Sequence, residues 1–235
     1  MSEPNVALVT GANKGIGYEI AVGLGRQGFR VGVGARDDAR RDEAVKTLLE
    51  KGIDAFGVPL DVTSDASVTA AAADLTRLDV LVNNAGITGS MPQHPTAVDL
   101  DTIRTAVETN VLGVIRVTNA MLPLLRRSPS PRIVNMSSTV GSLTRQSEGD
   151  QGPISAAYAP SKTFLNAVTV QYAKEFRGTN ILINAACPGY CATDLNGFRG
   201  HRTPEQGAAV AIHLATLPDD GPTGSFFDDE GVIPW

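Results

Sequence analysis

The sequence has only two cysteines, Cys187 and Cys191. Two are too few for a disulfide framework, and their spacing across Pro188-Gly189 is not a metal pattern. Both are read as reduced thiols. Histidine is nearly as sparse: His94, His201 and His213 lie far apart. A metal centre needs such ligands clustered with carboxylates or thiols, so no metal is expected. Aromatic residues are few, and basic clusters are missing. The formal net charge is -5, and Arg40-Arg41 and Arg126-Arg127 are the only adjacent basic pairs. They read as solvated helix ends, and no nucleic-acid partner is expected without a basic face. No apolar run approaches the roughly 20 residues of a membrane-spanning helix. Met1-Ser2-Glu3-Pro4 leads into an apolar run with no basic segment of a signal peptide before it. The expected location is the cytoplasm, with no membrane as partner.

What is present is an alternation of short apolar runs and longer helical stretches. Strands are expected at Val6–Val9, Arg30–Ala35, Ala55–Leu60, Leu78–Val82, Arg132–Met136 and Ile181–Ala186. A last short one is expected at Gly224–Asp228. Helices are expected at Tyr18–Gln27, Arg40–Lys51, Ser64–Thr76, Val98–Leu125, Ala156–Arg177 and Pro204–Ala215. The longest is expected to bend near Gly113 and to end around Pro123. Strands alternating with helices imply βαβ units and a parallel sheet. Continuous apolar runs, rather than period-2 alternation, imply strands covered on both faces. The fold class expected is therefore α/β, a doubly wound parallel sheet of six to seven strands with helices on both faces. Its 235 residues suit one domain of this kind, and neither a repeat nor a linker divides residues 1–235. Ser128-Pro129-Ser130-Pro131 is a turn-rich connector.

The first strand runs into Thr10-Gly11-Ala12-Asn13-Lys14-Gly15-Ile16-Gly17. Glycines here let the backbone turn sharply and approach a ligand. The following helix offers free N–H groups and its positive dipole end to a pyrophosphate. A Gly-rich turn between the first strand and helix of a βαβ unit points to a dinucleotide. The second strand ends Gly34-Ala35, followed by Arg36 and Asp37. An NAD site usually places an acid at that strand end. Arg36 instead presents a forked donor suited to a 2′-phosphate, with Lys14 as a second positive charge, so NADPH/NADP+ is the cofactor expected. Asp61-Val62 follows the third strand as a candidate adenine cap. Asn83-Asn84-Ala85-Gly86 ends the fourth at the ligand-binding edge. For Asn83, a purely structural role and a cofactor contact stand equal.

Ser137-Ser138 closes the fifth strand, and Tyr158-Ala159-Pro160-Ser161-Lys162 follows. On a helix, positions i and i+4 share a face, so Tyr158 and Lys162 point the same way. Tyrosine is a weak acid, with an ordinary pKa near ~10. A neighbouring ammonium, or a positively charged nicotinamide, lowers it toward the operating pH that acid–base chemistry prefers.

Taken with Asn110, and with Pro188-Gly189 and Thr193, these motifs resemble the short-chain dehydrogenase/reductase family over essentially the whole chain. Gly11 to Gly17, Ala35-Arg36-Asp37 and the C-terminal Phe226-Phe227-Asp228-Asp229 with Ile233-Pro234-Trp235 are similar to its carbonyl reductase branch, which uses NADPH. The resemblance implies a Rossmann-type fold and a role for each residue. Tyr158 would donate a proton to the substrate carbonyl oxygen, and Ser138 would orient that oxygen. Lys162 would bind the nicotinamide ribose and lower the Tyr158 pKa. Asn110 would hold a relay water. Gly11, Asn13, Lys14, Gly15, Ile16, Gly17, Arg36, Asp61, Val62, Asn83, Ala85 and Gly86 would contact the cofactor. So would Tyr158, Lys162, Pro188, Gly189 and Thr193.

The activity implied is reversible NADPH-linked reduction of a ketone or aldehyde to an alcohol. Reduction of a conjugated C=C bond and a non-catalytic NADP-sensing protein are the alternatives. The partner expected is a small carbonyl compound. Two features depart from the common pattern. Pro160 sits between Tyr158 and Lys162, where a helix interior would lose a hydrogen bond. The helix then starts just before Tyr158 or is irregular there. The stretch around Gln146 to Pro153 lengthens the Ser138–Tyr158 gap and is expected as a loop beside the active site. In carbonyl reductase relatives such an insertion can interfere with oligomer packing, so monomer and homo-oligomer both stay open. Residues 194–204 are expected to form the substrate lid, with Leu195 and Phe198 as an apolar wall. Arg199 and His201 there read as exposed loop charges.

Overall fold

In the computed structural model, residues 4–90, 93–149 and 152–235 are described. Six of the apolar runs form a parallel array: β1 (Val6–Thr10), β2 (Arg30–Ala35), β3 (Ala55–Pro59), β4 (Val80–Asn83), β5 (Arg132–Met136) and β6 (Leu182–Ala186). β7 (Phe226–Asp228) joins them in parallel beside β6. The order across the sheet is β3-β2-β1-β4-β5-β6-β7-β8. Among the described residues the sheet has eight strands rather than six or seven. The addition is β8 (Gly231–Val232), which folds back antiparallel on β7. Two residues carry no periodicity, and only pairing with Phe227 and Asp228 makes them a strand.

Helices cover both faces. α1 (Gly15–Arg26), α2 (Asp38–Glu50) and α8 (Pro204–Ala215) bury Ile20, Leu24, Leu48 and Leu214 on one side. α3 (Asp65–Asp74), α5 (Gly113–Leu125) and α7 (Tyr158–Glu175) bury Val68, Val117, Met121 and Tyr172 on the other, and a short helix, α6 (Leu143–Ser147), precedes α7. Each fully buried Leu or Ile contributes about 1.5–3 kcal/mol, and the central strands are buried on both sides, as the continuous apolar runs require. Local signals set several helix starts. Asp37 accepts from the backbone N–H of Arg40, Ser64 from Ser67, and Thr203 from Gln206 in a reciprocal box with Pro204 in the first turn. Such caps satisfy otherwise orphaned donors.

The long helix expected at 98–125 is interrupted. α4 (Leu100–Val107) passes through a π-helical turn, Glu108–Leu112, into α5. Gly113 follows that turn, and a Cβ there would stand 3.0 Å from Val62 Cγ2. Its role is close packing rather than the bend itself. Pro123 lies inside α5 and does not end it. The lost hydrogen bond is offset by Leu124 and Leu125, which continue into the core at 6% and 0% exposure. Among the described residues, no helix is long and apolar enough to cross a membrane.

Strand order reverses between β1 and β4, and a crevice opens at their carboxyl ends, where α/β sheets bind ligands. Thr10, Arg36, Asp61, Asn84, Ser138 and Pro188 all leave the sheet at this edge. The opposite edge is held for stability. Asp79 there is 2% exposed and accepts from the Val6 N–H, Arg77 and the Ser128 hydroxyl.

Candidate active site

The phosphate loop is locked to the neighbouring strand end. The Thr10 hydroxyl accepts from the backbone N–H groups of Asn84 and Ala85, each at 2.9 Å. Asn84 Nδ2 donates to the carbonyls of Thr10 and Gly11 at 2.9 and 3.3 Å. Gly11 adopts φ +66°, a conformation that favours glycine. A Cβ at Gly17 would fall 2.4 Å from Asn84 Nδ2 and 2.6 Å from the Gly11 carbonyl, so only glycine admits α1 this close. α1 starts with no side-chain cap, which leaves its first N–H groups to the crevice. Asn13 and Gly15 stand in the same loop, and Ile16 packs partly buried against the core. Asn84 and Thr10 stand in the sequence motifs without a role assigned to them, and the structure makes them site-forming. Their signal was the doubled asparagine opposite a threonine strand end.

A recess of ≈ 350 Å³ opens beside the loop, lined by Asn13, Lys14, Tyr18, Arg40 and Thr47, among others. The structure therefore groups Lys14 with Arg40, not with Arg36. Of the pair expected as a solvated helix end, Arg40 is exposed in the first turn of α2 and lines this recess, while Arg41 is buried and pairs with Asp38 and Asp42. Arg36 is exposed, and its charge acts on Asp61. The Asp61 carboxylate accepts from the Thr63 hydroxyl at 2.7 Å and the Thr63 N–H at 2.9 Å. These bonds are the main cause holding it below the usual carboxylate range. The Val62 side chain is buried, and its carbonyl accepts from Arg116 Nη1.

The Asn83 side chain points into the fold. It is 2% exposed, and its Nδ2 donates to Thr118 Oγ1 and to Asn135 Oδ1. With both hydrogens committed inside the fold, it has no donor left for a cofactor. Ala85 and Gly86 continue into the crevice, partly exposed.

The catalytic candidates converge one strand away. α7 begins at Tyr158 itself, so Pro160 stands in the first turn. A first-turn N–H has no intrahelical partner, and its absence in Pro160 costs nothing there. Ser161 already donates its N–H to the Ala157 carbonyl, and the helix is regular through Lys162. Lys162 Nζ lies 5.7 Å from the Tyr158 ring centre and donates to the Met136 carbonyl at 2.8 Å. Ser138, two residues past β5, stands beside the Tyr158 phenol and favours its charged form. Ser137 instead donates inward to Asn166 Oδ1 at 2.6 Å and is structural.

Asn110 lies within the π-helical turn at 0% exposure. Its Nδ2 donates to the Ile87 carbonyl and to Ser161 Oγ, and its Oδ1 accepts from the Ile87 N–H, all at 2.9 Å. It thus ties the segment after β4 to the catalytic helix. A Cβ at Gly86 would stand 3.2 Å from Asn110 Oδ1 and 3.6 Å from Lys162 Nζ. These residues share one point of the crevice, and both hydrogens of the Asn110 amide are already committed.

The electrostatics correct one expectation. Burial pushes the Tyr158 phenol up to about 12, and the Cys187 thiol adds to the rise. Ser138 acts in the opposite sense. Burial pulls Lys162 down to about 8. The lowering of the Tyr158 pKa expected from Lys162 is not among the influences on the phenol in the protein alone, where desolvation disfavours the charged form of each. Cys187, raised chiefly by its own burial, is a neutral thiol near neutral pH and acts on the pair only in alkali.

Pro188 and Gly189 leave β6, and the segment from Thr193 crosses back over the phosphate loop. The Thr193 methyl lies 3.5 Å from where a Cβ on Gly15 would be. Lys14 pairs with Asp194, and the Thr88 hydroxyl donates to the Leu195 carbonyl at 3.3 Å. Thr193 opens a short 3-10 turn, Asp194–Asn196, and Leu195 and Phe198 stand 44% and 66% exposed. Arg199 donates to the Asn196 carbonyl, and His201 packs against Tyr190. The described part of the insertion, including Gly149, Gly152 and Pro153, lines a hollow of ≈ 630 Å³ with Ala159, Thr163 and Phe164 of α7. Val140, two residues beyond Ser138, lines the same hollow, so the insertion lies beside the catalytic helix.

Residues 5–203 match the family model described as short chain dehydrogenase. The chain is 35% identical to the short-chain dehydrogenase/reductase 1 of Saponaria officinalis, over 100% of this chain and 97% of that protein. It is 34% identical to the carbonyl reductase (NADPH) 1 of Sus scrofa, over 100% and 95%. The crystal structure of an NADPH-bound carbonyl reductase from chicken fatty liver superposes with a TM-score of 0.86 at 29% identity, covering 100% of both chains.

Proposed function

The chain belongs to the short-chain dehydrogenase family, as an NADP-linked oxidoreductase of its carbonyl-reductase-like branch, and from that footing we propose that it reduces a ketone or aldehyde to the alcohol with Tyr158 as proton donor. The observation that carries this reading is the convergence of Tyr158, Ser138, Lys162, Gly86 and Asn110 at one point of the crevice.

Bound NADPH supplies the hydride, the part of the chemistry that belongs to the cofactor. The residues present fit it. The uncapped start of α1 suits the pyrophosphate, and the tight approach at Gly11 and Gly17 leaves room for it. The recess holding Lys14, Asn13 and Arg40 suits a 2′-phosphate. Asp61 and the Val62 N–H cap the adenine, and Arg36 adds positive charge beside them. Ala85, Gly86, Pro188, Gly189 and Thr193 line the nicotinamide side, with Ile16 at the loop.

Ser138 donates to the substrate carbonyl oxygen and orients it toward Tyr158. The Tyr158 phenol gives that oxygen its proton. The phenol, raised by burial, holds its proton throughout the neutral range, as a proton donor must. Lys162 holds the ribose hydroxyls and, as an ammonium, stabilises the phenolate that remains. Asn110 keeps the segment after β4 and the catalytic helix in register. Its side-chain hydrogens are committed, which leaves its backbone carbonyl, in a turn wider than an α-helix, to hold a relay water. Residues 194–204 close over the substrate as a lid, with Leu195 and Phe198 as its apolar wall.

The test is a panel of ketones, aldehydes and one enone with NADPH and with NADH, followed at the absorbance of the reduced nicotinamide. Expected are NADPH consumption with carbonyls and, for Tyr158→Phe, loss of turnover with NADPH binding intact. Turnover retained in Tyr158→Phe would remove Tyr158 as the proton donor. Tight NADPH binding with no consumption across the panel would overturn the enzymatic reading.

A further inference from the structure

Tyr158 is the first residue of its helix, which poses a problem of hydrogen bonding. The donors of a first turn need partners from outside the helix, and Ala157, in the cap position, has no side chain to supply one. Ala159 donates to the Ser155 carbonyl, and Pro160 has no N–H to satisfy. The N–H groups of Ala157 and Tyr158 remain. Both donate to a single atom, Gln93 Oε1, at 2.9 and 3.2 Å.

Gln93 comes from a distant part of the chain, in the segment between β4 and α4. It is 2% exposed. Its Nε2 donates to the Thr88 carbonyl at 2.8 Å, and its Oε1 also accepts from the Ser155 hydroxyl at 3.3 Å. Its backbone pairs with Ser155 in an isolated parallel bridge: the Gln93 N–H donates to the Ile154 carbonyl, and the Ala156 N–H donates to the Gln93 carbonyl. A buried amide bonded on both its nitrogen and its oxygen has one orientation. Thr88 is also the residue whose hydroxyl reaches Leu195.

We infer that Gln93 is a positioning residue that caps the catalytic helix from outside and fixes Tyr158 against the segment after β4. This rests on Tyr158 being the proton donor. The backbone of Tyr158 sits at a helix end, where fraying would otherwise move the phenol. Misplacement of a reacting group by about 1 Å costs on the order of 100-fold in rate. Gln93 touches neither the substrate nor the phosphate loop. Its loss therefore acts on kcat and leaves cofactor affinity in place.

The test compares Gln93→Met, which keeps shape and removes the bonds, with Gln93→Glu, which keeps the acceptor and loses the donor to Thr88. Two readouts are taken on the full chain: hydrogen exchange of the amides at 157 and 158, and steady-state reduction with NADPH. For Gln93→Met, exchange at both amides rises about 10-fold or more, as expected when a buried donor loses its partner. Its kcat falls about 10- to 100-fold, and the KM for NADPH stays within about threefold. Gln93→Glu recovers most of the protection, and its kcat lies several-fold above that of Gln93→Met. Exchange and kcat within about twofold of wild type in Gln93→Met overturn the inference. So does a matched loss in kcat and NADPH affinity that Gln93→Glu does not relieve, since that pattern marks general loosening. If the wild-type protein consumes no NADPH with any carbonyl, the proposed reaction fails, while the exchange measurement still decides the cap.

Discussion

Asn110→Ala tests how the active site is held together. The wild-type amide is fully buried and bonded to the Ile87 N–H, the Ile87 carbonyl and Ser161 Oγ. Alanine removes all of these partners at once. A buried group left without a partner costs about 1–3 kcal/mol. Ile87 lies at the edge of the crevice, partly exposed, so water can enter the vacated space and recover part of that. Ser161 still donates to the Tyr158 carbonyl at 2.7 Å. The expected net loss is therefore about 1–3 kcal/mol in all, near the cost of one orphaned group rather than several. At about 2–4 °C per kcal/mol for a chain of this length, Tm falls by roughly 2–12 °C in differential scanning calorimetry. Turnover falls more steeply than stability, because the same amide aligns the segment after β4 with the catalytic helix. A double-mutant cycle with Ser161→Ala isolates the link between them, with a coupling of about 0.5–3 kcal/mol. Additive effects on Tm, or an Asn110→Ala variant melting within about 1 °C of wild type, would refute the view that this side chain joins the two segments.

Two further outcomes follow from the site. Arg40→Ala should raise the KM for NADPH about 10-fold or more and change that for NADH little, consistent with loss of a charge-assisted phosphate contact. Arg36→Asp should discriminate less strongly, because Arg36 faces Asp61 rather than the recess. The reverse ranking would return the 2′-phosphate to Arg36. The second outcome concerns pH. Lys162 is depressed to about 8, so its ammonium is present below that pH and is lost as pH rises through it. In the reductive direction, kcat/KM should be level through neutrality and fall above about 8. The Tyr158 phenol, raised to about 12, should contribute no limb in the neutral range. Lys162→Arg keeps its charge at every accessible pH and should abolish the limb even if its rate is lower. A limb that survives in this variant belongs to another group.

Much of the molecule was legible in one dimension because the signals are local. Apolar runs four to six residues long, separated by helical stretches, dictate covered strands and βαβ units, whatever the distant chain does. The turn from Thr10 to Gly17 and the i, i+4 pairing of Tyr158 with Lys162 are also local geometry. Pro160 was legible in part. Of the two readings it allowed, a helix starting just before Tyr158 comes nearer to the start observed, which is Tyr158 itself. The π-helical turn around Asn110 left no trace, since Glu108–Leu112 has the composition of ordinary helix.

By itself, the sequence determined the alternating layers, the crevice edge on which the motifs fall, and the residue types that carry proton transfer and phosphate binding. Tertiary structure alone decided which basic residue joins Lys14, that Asn83 faces inward while Asn84 clamps the phosphate loop, and that Gln93 caps a helix 65 positions away. It also decided that burial, more than the neighbouring ammonium, sets the Tyr158 proton affinity. The division has one physical cause. Periodicity and turn chemistry act over a few residues and are written along the chain. Partner choice for a buried donor, and the desolvation of a charge, depend on what packs around it, and that exists only once distant segments have met.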